Sequence, residues 1–171
     1  MNITKKIIIT DTNIITDLNN ANILKKFVNL DNVYISDLVK CDEINSNTGN
    51  TEIISNFKVI TSTAEQLLEI SSLSKVAKKL SIYDILNFII ARDNNCILAT
   101  GDNRLKNFSE KNNVEVIRTL KIISLMKDKD IISTEEAITA CELLRKNQKT
   151  RIPEDDLIDK IKEFEKDLVT C

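Results

Sequence analysis

Residues 96–105 read CILATGDNRL, and this stretch decides the fold. Cys96 to Thr100 carry no charge and only small or apolar side chains, as a strand buried on both faces requires. Gly101 and Asp102 break the run, and Asp102 stands where an N-cap would open a helix over NRLKNF. The same order recurs near the start of the chain. KKIIIT at 5–10 is a β-branched run that ends at Asp11. DTN follows, then apolar residues at helical spacing: Leu18, Ile23, Leu24, Phe27 and Val28.

Further strands are expected at 33–35 (VYI), 57–61 (FKVIT) and 114–117 (VEVI). Ser36 can cap a short helix, DLVKCDEI, and the polar stretch NSNTGNTE at 45–52 reads as a loop. Helical spacing returns at 63–79 and in SIYDILNFIIAR from Ser81, where Ile82, Ile85, Leu86 and Ile89 form the main stripe. Beyond Thr119 the chain reads as helix. Ser133 and Glu136 have capping-box spacing, and Pro153 suits the first turn of a last helix. That helix repeats Leu157, Ile158, Ile161, Phe164 and Leu168 along one face, most simply a face docked on its own domain. Strands alternating with helices predict an α/β fold with a central, mainly parallel sheet covered on both faces. Ligands in such sheets bind beyond the carboxyl ends of the strands, so function is sought just after each strand.

Composition narrows the chemistry. The 171 residues are 42% hydrophobic and 29% charged, as expected of one folded domain. There is no histidine, which removes Ser-His and Cys-His nucleophiles and His-ligated zinc or haem. The only glycines are Gly49 and Gly101, so there is no Gly-rich phosphate loop, and a flavodoxin-like nucleotide binder fits poorly. Turns are left to Asn, Asp, Ser and Lys. Cys41, Cys96, Cys141 and Cys171 form no CxxC pair and read as reduced cytoplasmic thiols. The apolar run in MNITKKIIIT is too short for a signal peptide, and no stretch reaches membrane-spanning length. A net charge of −2 argues against a protein that coats nucleic acid, but a nuclease needs only a local basic patch.

Carboxylates therefore carry the interest. Asp11 and Asp102 follow strands and fall on the ligand edge, although each also fits a plain cap or turn. Asp42 falls on the apolar side of its helix, with Glu43 at the margin; an inward carboxylate needs a partner or a metal, unless a frayed helix end leaves it wet. Asp84 pairs with Ser81 at capping-box spacing, and local capping alone can account for it.

DTN after the first strand, an acid in the helix after the second, LSIYD opening a later helix and ATGDNRL after a buried strand together resemble the PIN domain. The resemblance covers most of residues 6–126, and VEVIRTLKIISLM with the helical tail resembles one prokaryotic branch of that family. It implies a three-layer α/β/α sandwich with 1–126 as the nuclease domain and 127–171 as a C-terminal helical extension packed on it. It implies a metal-dependent endoribonuclease acting on single-stranded RNA. It places the acidic cluster on Asp11, Asp42 (or Glu43), Asp84 and Asp102, with Asn13 and Thr100 as supporting polar positions. Two departures accompany it: the family's second acid is usually Glu, and Asn103 and Arg104 stand where many members carry another acid.

Carboxylates suit Mg²⁺ or Mn²⁺, one ion or two, which acidify water without a histidine base. Arg104 and Lys106 are candidates for phosphate contacts. Lys149 and Arg151 either lie near substrate or simply divide two helix ends. The leading reading is a ribonuclease, as the toxin of a toxin–antitoxin pair, with RNA, an antitoxin or a second copy of the chain as partners. The alternative is a catalytically weak PIN-like RNA-binding or scaffold protein.

Overall fold

A computed structural model describes residues 8–30, 32–45 and 51–169. Strands β1 (Ile8–Thr10), β2 (Val33–Ser36), β3 (Lys58–Ile60), β4 (Ile97–Ala99) and β5 (Val116–Ile117) form one sheet in the order β3-β2-β1-β4-β5. Every pairing is parallel. The central strand β1 sets Ile8 opposite Val33 and Ile97, and Thr10 opposite Ala99. Asp11, Ser36 and Thr100 therefore end their strands together along the carboxyl edge.

The helices are α1 (Thr12–Asn20), α2 (Leu24–Phe27), α3 (Asp37–Asn45), α4 (Thr51–Ser55), α5 (Ala64–Val76), α6 (Ile82–Asp93), α7 (Asn103–Lys111), α8 (Thr119–Asp128), α9 (Thr134–Lys146) and α10 (Glu154–Val169). Two cores lie on opposite faces of the sheet. Val33, Ile35, Ile97, Ala99 and Ile117 face one core, shared with α1, α8, α9 and α10. Tyr34, Ile60, Leu98 and Val116 face the other, shared with α5, α6 and α7. The alternation along each strand builds the expected three-layer α/β/α sandwich.

With so few glycines, asparagine and aspartate close the helices. α1, α6, α7 and α8 are each followed by a residue at positive φ: Asn22, Asn95, Asn113 and Asp130, at 50–61°. Short polar side chains tolerate this left-handed backbone best after glycine. In each case the next residue, Ile23, Cys96, Val114 or Ile131, returns its N–H to a carbonyl of the last helical turn, at 2.8–3.1 Å. That apolar residue turns back into the core, so one motif ends the helix and aims the chain at its next element.

The extension is part of the same body. Ala137, Ala140, Cys141 and Leu144 of α9, and Leu157, Ile161 and Phe164 of α10, belong to the first core. Lys127 of α8 lies 5.3 Å from the Phe164 ring and pairs with Asp167 of α10.

Several expectations need correction. The pattern over 12–28 is two helices, because the chain turns at Asn22. Of the loop expected over 45–52, residues 46–50 lie outside the described residues, Asn45 ends α3 and Thr51 opens α4. Ile82 and Leu168, expected on apolar stripes, are exposed, as are Leu68 and Val76 within the helical pattern over 63–79, because α5, the start of α6 and the end of α10 lie at the outer surface. Among the described residues, no helix is long and apolar enough to cross a membrane.

Candidate active site at the carboxyl edge

Three helices present their N-termini at this edge, and an aspartate helps close each: Asp11 and Asp102 are the N-caps of α1 and α7, and Asp84 is the third residue of α6, whose N-cap is Ser81. Asp11 caps α1, its Oδ1 accepting from Ile14 N–H at 3.1 Å. Asp102 caps α7, its Oδ1 accepting from Arg104 and Leu105 N–H at 2.7 and 3.0 Å. Asp84 completes a capping box at the start of α6, its Oδ2 accepting from Ser81 N–H and hydroxyl at 2.9 and 2.8 Å. The local role and the site role therefore coincide. Each cap uses one carboxylate oxygen and leaves the other.

The oxygens left over differ. Asp11 Oδ2 is buried and has no hydrogen-bond partner among the described residues. The residue is only 4% exposed. Burial pushes its carboxyl up from 3.8 to about 6; the Thr100 hydroxyl and the Ile14 and Asn13 N–H groups oppose the rise, and the charge of Asp84 adds to it. Asp102 Oδ2 lies 3.8 Å from Arg151 of the α9–α10 loop. Thr100, fully buried, links the strand ends: its hydroxyl accepts the Asp102 N–H at 3.0 Å and lies against the Asp11 carboxyl. Ser36 Oγ, on the next strand, is also buried without a hydrogen-bond partner among the described residues.

Asp42 and Glu43 fall within α3, which leaves the sheet directly after β2, but their side chains lie outside the described residues. Among the described residues, no three Asp, Glu, Cys or His side chains gather closely enough to form a metal site. The donors that are present nevertheless fit a hard cation. They are carboxylate oxygens, one of them orphaned and held at a raised pKa by burial. Mg²⁺ commonly needs only one or two carboxylates, keeping water and substrate phosphate for the rest of its shell.

Asn13 faces Gly101, where an added Cβ would stand 3.4 Å from the Asn13 Cβ. Arg104 is exposed and lines a cavity of about 380 Å³ with Asp102, Asn103 and Arg151. Lys106 pairs with Glu110 at 3.2 Å and reaches a second cavity with Arg118 and Arg151.

Asp17 and Arg118 also belong to this edge, although neither stands out in the sequence. Asp17 lies one helical turn beyond Asn13 and accepts from the Thr119 hydroxyl at 2.7 Å. Burial raises its pKa, while Thr119, Arg118 and Arg151 oppose the rise. Arg118 follows β5 and donates to Gly101 O at 3.0 Å and Asn103 Oδ1 at 2.5 Å. The available signals were the i,i+4 spacing of Asn13 and Asp17 and the position of Arg118 just after a strand.

The PIN-domain family DUF3368 matches residues 7–166. Comparison with curated proteins finds no match. Among solved structures, the crystal structure of PAE2754 from Pyrobaculum aerophilum is similar, with a TM-score of 0.52 and 17% identity over 70% of this chain and 96% of that one. That likeness speaks to the fold alone. PIN domains are nuclease-type folds that typically use divalent metals, and this chain, matched over nearly all its length, belongs to the PIN-domain family.

Proposed function

We propose that the protein is a metal-dependent endoribonuclease that cleaves single-stranded RNA at the carboxyl edge of its sheet. One observation carries the reading: a buried aspartate, Asp11, sits at the end of the central strand with an unpartnered oxygen, next to the charge of Asp84. An ionised carboxylate in that setting is costly without a cation. Asp11, Asp102 and the α3 acid (Asp42 or Glu43) would hold Mg²⁺ or Mn²⁺, with Asp84 as a further ligand or an orienter of water. When bound, the ion supplies a Lewis acid that acidifies water and offsets charge on the phosphoryl group.

The chain's own residues do the rest. The N-cap bonds fix Asp11 and Asp102, and Thr100 couples the two strand ends. The N-termini of α1, α6 and α7 bring partial positive charge to the same edge, which favours both the carboxylates and a phosphate. Arg104 stands beside Asp102, where it can take a phosphate oxygen.

The test is cleavage of single-stranded RNA with Mn²⁺ by the wild type and by Asp11→Asn. Cleavage by the wild type alone is expected, and equal cleavage by both would sink the assignment. RNA binding without cleavage by the wild type would favour the catalytically weak alternative, which draws support from Asn103 and Arg104. A toxin role predicts growth arrest on expression, relieved by the product of an adjacent gene.

A further inference from the structure

We infer that single-stranded RNA crosses the site along a two-armed basic track, one arm supplied by the C-terminal extension and the other by the α5–α6 loop with α7. The inference rests on the nuclease reading for its substrate class. It is carried by the segregation of charge in a chain whose net charge is −2.

The first arm is a cavity of about 140 Å³ beside Gly101, lined by Arg118, Lys149 and Arg151 around the half-buried Asp17. Arg118 is held by Gly101 O and Asn103, so its guanidinium is fixed before any ligand arrives. Lys149 and Arg151 reach this place only because α9 and α10 dock on the first core and turn their connecting loop toward the carboxyl edge. The second arm is a groove of about 340 Å³ whose lining carries Lys78, Lys79, Arg104 and Lys111, no acid, and apolar atoms of Leu80 and Phe108. Among the described residues these four cations make no ion pair. Elsewhere Lys26, Arg92 and Lys160 are each matched with a carboxylate at 2.5–2.7 Å.

The arms meet at Asp102. Arg151 and Gly101 line both the first cavity and the one that holds Asp102, and Arg104 lines both that cavity and the second groove. Cations on either side of a site, with apolar wall within one arm, suit a flexible phosphate backbone that must pass over the reacting edge.

The test measures binding of a labelled short oligouridylate to full-length Asp11→Asn, without metal and across a salt series. Two double variants are made in that background, Lys78→Ala with Lys79→Ala, and Lys149→Ala with Arg151→Ala, and their melting temperatures confirm folding. Each pair is expected to weaken binding roughly tenfold and to reduce the salt slope by about 1.4, since each lost phosphate contact on a single strand removes about 0.7. Unchanged affinity and slope in either folded pair would overturn the track, even if the wild type cleaves RNA. Loss of binding in both pairs supports it, even if the wild type cleaves nothing. Tighter binding of polyglutamate than of RNA to the parent, lost in the same variants, would overturn it in favour of an acidic protein partner.

Discussion

Replacing Asp11 by asparagine removes a charge and keeps the cap, because asparagine serves an N-cap as well as aspartate does. Burial holds the Asp11 carboxyl at about 6, against 3.8 for the free group. At about 1.4 kcal/mol for each tenfold change in ionisation, keeping it ionised in the fold costs about 3 kcal/mol. Between pH 3.8 and about 6 the folded protein binds more protons than the unfolded chain. Stability therefore falls as pH rises through that window, and above it the full cost is present. Without metal, Asp11→Asn should be more stable than the wild type by about 3 kcal/mol near pH 8, a rise in Tm of roughly 6–12 °C for a chain of this size. The gap should shrink toward zero as pH drops below 3.8. The assay is thermal and urea unfolding of both proteins in chelator across this pH range, repeated with Mn²⁺. The ion should stabilise the wild type only and so narrow the gap. A variant less stable than the wild type near neutral pH in chelator, or a gap that ignores pH, would refute the reasoning. Either result would mean that the fold satisfies this carboxylate without a cation.

Other consequences are as direct. Asp102→Asn keeps the α7 cap and should leave stability nearly unchanged, whereas Asp102→Ala should lose about 1 kcal/mol. Both should lose the thermal shift with Mn²⁺, and a full shift in Asp102→Asn would remove Asp102 from the ligand set. Phe164→Ala should cost about 3–5 kcal/mol, because the ring is fully buried between α10 and the first core. A single unfolding transition is expected there, and an independent melt of the extension would contradict one cooperative body. Cys41 is exposed and should react with a maleimide in the native protein. Cys141, whose thiol burial pushes up to about 12, should react only after unfolding, as labelling monitored by mass spectrometry can establish.

The legible part of the fold lay in local signals. CILAT and the β-branched run before Asp11 announced central strands, and Asp102, Ser81 and Ser133 announced helix starts. Each depends on neighbouring residues only, so the chain displays it directly. Surface placement was less legible. Leu68 and Val76 sit at helical spacing yet face outward, because which side of α5 is covered depends on α6 and not on α5 alone. The site divides in the same way. Strand ends point to Asp11 and Asp102, whereas Asp84 reads equally well as the capping-box partner of Ser81, and in the structure it fills that role. Asp17 was hidden because its partner Thr119 is 102 positions away. Arg151 was ambiguous because its position depends on how two helices of the extension dock.

The most direct measurement is the anomalous scattering of manganese in crystals grown with Mn²⁺. A peak is expected at the carboxyl edge about 2.0–2.2 Å from Asp11 Oδ2, with Asp102 and the α3 acid sharing the shell directly or through water. Ordered crystals with the ion in solution and no peak there, the Asp11 oxygen still buried and bare, would contradict it.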